Sequence, residues 1–341
     1  MNRQFAERQA QVLAILEALA MEAARKKEIL VFLGGSAVQT MALKKAGRLS
    51  VDLDVYYSGN AGELLGVLGS EYQVGKRQAK QADIFDFYNV MRGDVQVKID
   101  VAKFKLAEKG EPYEAKSLGA GKTKVNVATP AYLLASKLSA LAVGTVGRRE
   151  FSPIDLLKDV FDSNALIDEN GIAQETVDYF EQVCRIQNRI SGTSFSETQV
   201  HENIAKVLFA SALPEDAKSV IKGANLSNFN TAYSLSRAVR KPDYWIMAYR
   251  LAAYARALSL KERMPEVVKE IEKGANEKYA DREFAAMCEQ KLSEKGIDGK
   301  HLHELKMLAP KALAYLYYAH YPPGGNPITT KTPGVYNPRF S

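Results

Sequence analysis

Hydrophobic and polar residues follow two different periods along the first 129 residues of the chain. Apolar positions that recur every three to four residues predict helices over 5–27 and 36–45. Short apolar runs and strict alternation predict strands at 29–33, 51–55, 84–91, 95–101 and 124–128. This mixture of helices and strands predicts an α/β or α+β unit with a small mixed sheet over residues 1–129, and we adopt the α+β class.

From residue 130 the pattern has the period of helices alone. Thr129 suits an N-cap position and Pro130 suits the first helical turn. Helical periodicity continues over 130–143, 153–168, 174–190, 198–211, 226–240, 243–260, 263–273, 279–294 and 309–319. Residues 130–320 are therefore predicted to form a mainly helical domain. The segment 321–341 is rich in Pro and Gly, which predicts an extended tail.

Two sets of side chains in the helical part are assigned to structure rather than to chemistry. Tyr244, Trp245 and Tyr249 share one predicted helix, and aromatic residues in a helical domain are more often core than RNA-binding. His301 and His303 lack companion metal ligands, so we expect them to be polar surface residues.

Composition excludes several classes of protein but does not identify a binding partner. The 341 residues allow about two domains, and 46% hydrophobic with 25% charged residues excludes a disordered chain. There is no apolar run of membrane-spanning length and no signal-peptide cleavage site, so no membrane association is expected. The two cysteines, Cys184 and Cys288, favour a reducing cytoplasm. A net charge of +6 permits a polyanionic partner.

Three aspartates occupy the polar positions of two alternating strands. Asp52 and Asp54 share one strand face because side chains alternate, and Asp100 has the same place on a second strand. If the strands are neighbours, the three carboxylates converge into a cluster that suits Mg²⁺. An Asp-x-Asp pair at a strand end is also common in proteins without catalytic function.

A glycine turn precedes the aspartates. Gly34, Gly35 and Ser36 follow the first strand and open a predicted helix. Glycines let the backbone approach a phosphate closely, and helix N-terminal amides favour its negative charge. Alone, this segment is better explained as a glycine turn with a serine cap. Together with Asp52 and Asp54 it predicts a phosphate cradle and a metal site in one unit.

These residues carry a family resemblance. The run from Leu33 to Ser36, followed by Arg48-Leu49-Ser50-Val51-Asp52-Leu53-Asp54, resembles the signature of DNA polymerase β-like nucleotidyltransferases. The Arg-x-Ser-x-Asp-x-Asp form is similar to the AbiEii-type, MenT-like toxins of type IV toxin–antitoxin systems. Further blocks resemble that branch: Lys98-Ile99-Asp100, a helix with Lys137, the pair Arg148-Arg149 and the helix Lys158-Asp159-Val160-Phe161-Asp162.

The resemblance implies a polymerase-β-like nucleotidyltransferase domain that transfers a nucleotide from an NTP and releases pyrophosphate. It implies Asp52, Asp54, Lys137 and Asp159 as catalytic residues, so that the helical domain contributes two of them. Mg²⁺ would be held by Asp52 and Asp54, with Asp100 as the third carboxylate. The residues implied to contact the nucleotide are Gly34, Gly35, Ser36, Arg48, Ser50, Arg149 and Lys158. Without the resemblance, Lys137 and the pair Lys158–Asp159 are ordinary solvated charges.

For the acceptor, the resemblance favours RNA, with the tRNA 3′ end first, and it implies a cognate antitoxin as a possible partner. Basic residues predicted to lie near the catalytic face agree with an RNA acceptor: Lys116, Lys122, Lys124, Arg148 and Arg149. Transfer to a protein side chain or to a small molecule such as an antibiotic stays open. A degenerate fold used only for binding is disfavoured by the intact Asp-x-Asp.

Overall fold

The computed structural model describes residues 3–78, 84–118, 123–148, 152–213, 220–235 and 238–324. They form two compact units, Met1–Leu134 with Tyr233–Ser236, and Ala135–Ala232 with Arg237–Ser341. The division falls inside a helix that begins at Pro130, a few residues after the predicted boundary. Among the described residues, no helix has the length and apolarity needed to cross a membrane.

The first unit is built on a seven-stranded mixed sheet of order β3-β4-β5-β2-β1-β7-β6. Its strands are β1 Leu30–Leu33, β2 Asp52–Tyr57, β3 Gln73–Arg77, β4 Phe85–Arg92, β5 Val95–Ala102, β6 Tyr113–Ser117 and β7 Lys124–Ala128. Its helices are α1 Arg3–Lys26, the short α2 Gly34–Ala37, which continues as a π-helical turn Val38–Ala42, and α3 Ala61–Leu65, which continues as a 3₁₀ turn Gly66–Glu71. The predicted α+β class and mixed sheet are confirmed.

The alternation in β2 and β5 separates a buried face of the sheet from a polar one. Leu53, Val55 and Ile99 are among the most deeply buried residues of the first unit, whereas Asp52 and Asp54, at the alternate positions of β2, stay partly exposed. Helix α1 packs on β1 and β5 and buries its own apolar stripe: Val12, Ile15, Leu16 and Leu19. Removal of these side chains from water is the main stabilising term of the unit.

The second unit contains helices only among its described residues. They are α4 Pro130–Ala140 from the division onward, α5 Pro153–Asn170, α6 Gln174–Ser191, α7 Glu197–Ser211, α8 Gly223–Ala232, α9 Lys241–Leu258, α10 Met264–Glu277, α11 Arg282–Glu294, α12 Gly299–Leu308 and α13 Pro310–His320, with a 3₁₀ turn Lys261–Arg263. Helix α9 contacts α5, α7, α10 and α13. It is therefore buried nearly all round, which confirms Tyr244, Trp245 and Tyr249 as core residues.

Two predictions about the helical part are wrong. His301 is 1% exposed, and its Nε2 lies 2.7 Å from Tyr249 Oη, so it is a core residue. The predicted helix 226–240 ends at Ala232, because the next residues bond to the segment before β2 in the first unit. Leu49 N donates to Tyr233 O at 2.7 Å, and Leu235 N donates to Gly47 O at 3.1 Å.

Candidate active site

Three aspartates lie on the polar face of the central strands. β2 pairs parallel with β5 in a register that places Asp54 beside Asp100 and Asp52 beside Lys98. On its other side, Asp54 pairs with Leu33 at the end of β1. The two strands are therefore neighbours, as the converging carboxylates require, and one row of the sheet carries both Asp54 and Asp100.

The carboxylate of Asp54 is seated against the glycine turn. Gly34 has φ +68°, a left-handed conformation that side chains other than glycine rarely adopt. A Cβ at Gly34 would lie 1.8 Å from Asp54 Oδ2, so no other residue fits without displacing the carboxylate. The turn between β1 and α2 thus places a partly exposed glycine backbone directly beside Asp54, a candidate ligand of Mg²⁺.

The hydroxyl of Ser36 is turned inward to the start of β2. Ser36 is fully buried, donates to the backbone carbonyl of Asp52 and lies 3.0 Å from Ser50 Oγ. Thr40 Oγ1 donates to Ser36 O at 2.6 Å. Both serines were predicted to contact the nucleotide, but in this geometry their hydroxyls instead fix the backbone that presents Asp52.

Arg48 is also buried, at 2% exposure, which is at odds with the predicted contact to a nucleotide. Its Nη1 donates to Leu49 O at 2.8 Å. Gln39, on the π-helical turn, accepts from Gly47 N at 2.9 Å and from Arg48 N at 3.1 Å. These bonds fix the segment that leads into β2, so Arg48 and Gln39 act on the site through the backbone. Nothing in the amino-acid pattern marks Gln39 in advance.

Arg77 joins the carboxylate cluster from the edge of the sheet, and sequence reasoning missed it. It is the last residue of β3 and pairs with Phe87, which pairs with Asp100. Its guanidinium lies over the Phe87 ring, 5.3 Å from the centroid, and its Nη2 is 2.5 Å from Asp100 Oδ1. Only the strand pairing reveals this contact, since Arg77 lies 23 positions before Asp100.

The charges of the cluster are coupled. Burial raises the pKa of Asp100, the guanidinium of Arg77 opposes that rise, and the negative charge on Asp52 increases it. The net result is a pKa above the usual range of an aspartate. Carboxylates that disfavour each other's charged form are stabilised by a cation.

The donor set fits Mg²⁺ when a nucleotide completes it. In the part of the chain that the structure describes, no three His, Cys, Asp or Glu side chains are grouped closely enough to hold a metal by themselves. Mg²⁺ commonly takes one or two carboxylates and completes its shell with water and substrate phosphates. Asp52 and Asp54 supply such a pair, whereas one oxygen of Asp100 is engaged by Arg77.

The helical unit contains a buried charge cluster of its own. Lys137 Nζ on α4 lies 2.8 Å from Asp159 Oδ1 and 3.0 Å from Asp162 Oδ2 on α5. Arg148 donates from Nε and Nη2 to Asp159 Oδ2, at 3.1 and 2.8 Å. Burial raises the pKa of Asp159, but Lys137 and Arg148 outweigh it and hold that pKa below its usual range. Lys137 and Asp159 are thus in contact, and Asp162 and Arg148 belong to the same cluster.

The other basic residues from the sequence are scattered. Lys158 Nζ pairs with Asp155 Oδ1 at 3.4 Å, and Lys116 donates to Met41 O at 3.2 Å. Lys124 is exposed at the start of β7. Arg149 and Lys122, like the tail from residue 325 onward, lie outside the described residues.

Comparison with solved structures finds matches of low identity. An antigenic nucleotidyltransferase-like protein from Paracoccidioides brasiliensis is 14% identical over 53% of this chain and 90% of that one, with TM-score 0.34. The antibiotic-resistance factor ANT(2'')-Ia is 11% identical over 54% and 95%, with TM-score 0.37. MenT4, a nucleotidyltransferase toxin from Mycobacterium tuberculosis H37Rv, is 16% identical over 66% and 73%, with TM-score 0.33.

A family model gives the stronger match, while no curated protein matches the chain. The model of the AbiEii nucleotidyl transferase toxin, Type IV toxin–antitoxin system, matches residues 15–233 of the 341. The matched region holds the glycine turn, the carboxylate strands and the Lys137 cluster. Because it spans more than half of the sequence, this chain belongs to the AbiEii family of nucleotidyltransferase toxins and is a nucleotidyltransferase.

Proposed function

We propose that this enzyme transfers a nucleotide from an NTP to an RNA acceptor, with the tRNA 3′ end favoured, in a Mg²⁺-dependent reaction that releases pyrophosphate. The observation that carries the proposal is the carboxylate of Asp54 seated on Gly34, in line with Asp100 across the sheet. A glycine backbone suited to phosphate and a carboxylate suited to a cation are thereby held in one strand-turn-helix unit.

In the proposed reaction, the acceptor hydroxyl forms a bond to the α-phosphorus, and the bond from that phosphorus to the pyrophosphate oxygen breaks. Asp52 and Asp54 would hold Mg²⁺, which when bound neutralises triphosphate charge. The Gly34-Gly35 backbone would lie against the phosphates. We assign the acceptor's proton to Asp100, because its carboxylate stands beside Asp54 on the polar face of the sheet.

The buried polar residues of the site have positioning roles in this proposal. Ser36 and Ser50 hold the start of β2, and Arg48 holds the segment before it. Lys137 and Asp159 are proposed as essential residues on the strength of the family resemblance. Both are already engaged in the buried cluster of the helical unit, which favours a positioning role for them as well. Lys158 and Arg149 stay proposed nucleotide contacts.

The decisive experiment follows label from the nucleotide. The purified protein is incubated with each labelled NTP in turn, with total tRNA, with cell protein or with neither, in Mg²⁺ and again in EDTA. We expect label to appear in RNA and not in protein. We expect this labelling in Mg²⁺ and not in EDTA. The variants Asp52→Ala and Asp54→Ala should lose transfer, whereas Asp94→Asn, at an exposed acidic residue of the β4–β5 turn, should keep it.

Label in protein instead of RNA would support side-chain nucleotidylation, and label in neither would direct attention to small acceptors. Transfer by Asp54→Ala at the wild-type rate would refute the carboxylate assignment. The toxin role has a separate test. Expression should arrest growth in a manner that depends on Asp52, and co-expression of a cognate antitoxin, which family membership implies, should restore it.

A further inference from the structure

A half-exposed aromatic surface adjoins the carboxylates on the polar face of the sheet. We call it the aromatic surface, and it consists of Phe85, Phe87, Phe104 and the guanidinium of Arg77. The rings of Phe85 and Phe87 are 5.8 Å apart, and those of Phe85 and Phe104 are 5.3 Å apart and nearly perpendicular. Phe85 and Phe87 alternate on β4, so they share the face on which Asp100 lies.

Unsatisfied polar atoms accompany these rings. Among the described residues, Arg77 Nε and Asn89 Oδ1 are buried and have no hydrogen-bond partner. Asn89 is the next residue after Phe87 on the same face of β4. A buried donor and a buried acceptor left unpaired each cost free energy, unless a ligand supplies the missing bonds. Flat rings with one free donor and one free acceptor suit a planar heterocycle that carries both kinds of group.

The aromatic surface lies on the opposite side of Asp100 from the glycine turn. Across the sheet, one row runs from Leu33, just before Gly34, through Asp54, Asp100 and Phe87 to Arg77. If the triphosphate lies against the glycines, the carboxylates stand between it and the aromatic surface. Nucleotidyl transfer requires the acceptor to approach from the side away from the leaving pyrophosphate, which is the side of the aromatic surface.

We propose that the aromatic surface binds the terminal nucleobase of the RNA acceptor, an inference that rests on the proposed function. The base stacks on the rings beside the guanidinium and directs its edge to Arg77 Nε and Asn89 Oδ1. Unpaired RNA ends are commonly recognised by stacking on aromatic rings and guanidinium planes. A protein acceptor has no comparable need for such a layer, since its reacting serine, threonine or tyrosine lies on a flexible chain.

The test separates acceptor binding from catalysis. A fluorescent single-stranded RNA oligonucleotide is titrated by anisotropy without NTP or metal, and KM is then measured for RNA and for NTP during transfer. We expect Phe85→Leu and Phe87→Leu to weaken oligonucleotide binding and to raise the RNA KM about 10-fold, with the NTP KM unchanged. Phe85→Tyr, which keeps a ring, should restore binding. Phe284→Leu, at a half-buried ring of the helical unit, is the matched control and should change neither.

An oligonucleotide that ends in an abasic nucleotide sharpens the result. If ring and base interact, Phe87→Leu should cost no further affinity once the base is absent. An equal loss for abasic and normal RNA would overturn the inference, as would an NTP KM that rises with the RNA KM. Weakened RNA binding without any transfer to RNA would instead refute the proposed function and leave the aromatic surface standing. If the variants transferred label to RNA with an unchanged RNA KM, the proposed function would stand and the role of the aromatic surface would be refuted.

Discussion

Gly34 carries two constraints at the scale of a single residue. Its left-handed backbone excludes side chains on steric grounds, and the carboxylate of Asp54 occupies the space that a Cβ would need. The first constraint is local, whereas the second exists only because β1 and β2 are paired in this register. Glycine adopts this backbone conformation without strain, so both constraints act on any residue that would replace it.

We therefore expect Gly34→Ala to lower the free energy of unfolding by about 2 kcal/mol or more and to reduce transfer about 100-fold, since it displaces Asp54. Gly93→Ala is the matched control, because Gly93 also has a positive φ, of 57°, but nothing lies within 4 Å of its Cβ position. Gly93→Ala should lose only the stability that a positive φ costs an alanine, and it should retain activity. Urea denaturation measures the free energy of unfolding of both variants, and the labelled-NTP assay measures their transfer. Equal activity in the two variants would refute the seating of Asp54 on Gly34.

At the scale of elements, charge holds two helices together. Lys137 of α4 bridges Asp159 and Asp162 of α5, whose side chains are 2% and 0% exposed. A buried ion cluster is weak evidence for stability, but removal of one partner leaves the others uncompensated. The ammonium contacts both carboxylates, while Arg148 also pairs with Asp159, so the ionic link between α4 and α5 depends on Lys137.

Lys137→Met should therefore destabilise the protein by about 3–5 kcal/mol, a cost separate from any lost activity. Lys158→Met is the control on α5, because Lys158 is paired at 3.4 Å with the half-exposed Asp155, and a partly exposed pair of this kind should cost less than about 1 kcal/mol. Thermal and chemical denaturation of both variants measure the difference. A Lys137→Met protein with wild-type stability and no transfer would contradict the positioning role and assign Lys137 to substrate.

At the scale of the whole molecule, the helical unit buries three histidines. His201, His301 and His320 are at most 4% exposed, and burial lowers the pKa of each to about 4. They stay neutral in the folded unit at pH values where the unfolded chain, with ordinary histidines, already takes up protons. The stability that depends on these neutral histidines is therefore fully present above about pH 6.5. It is lost as the pH falls toward 4.

Unfolding measured in urea between pH 7 and pH 4.5 should show this loss, of up to about 3 kcal/mol per histidine. His320→Phe should reduce the slope, because a phenyl ring keeps the stacking on Phe209, 5.0 Å away, without binding a proton. His303→Gln, at an exposed position, should leave the slope unchanged. If the free energy of unfolding were constant over this range, the histidines would not be buried as the structure places them.

The local pattern of the chain was sufficient for β2, β5 and most helices, because burial of one face imposes a period that neighbouring residues display. It was insufficient for the edge strands β3 and β6, whose side chains are mostly exposed and carry no such period. Helix α12 was missed as well, and with it the burial of His301. In each case the missing information was a partner distant in the sequence.

The amino-acid sequence by itself determined the family, the α+β class and the shared face of Asp52 and Asp54, since a motif and a two-residue period are local properties. Only the tertiary structure decided that Ser36 and Arg48 turn inward, that residues 233–235 return to the segment before β2, and that Arg77 reaches Asp100 over Phe87. These contacts depend on strand order and register. Both are set by the packing of the whole sheet, so they cannot be predicted from a short segment of the sequence.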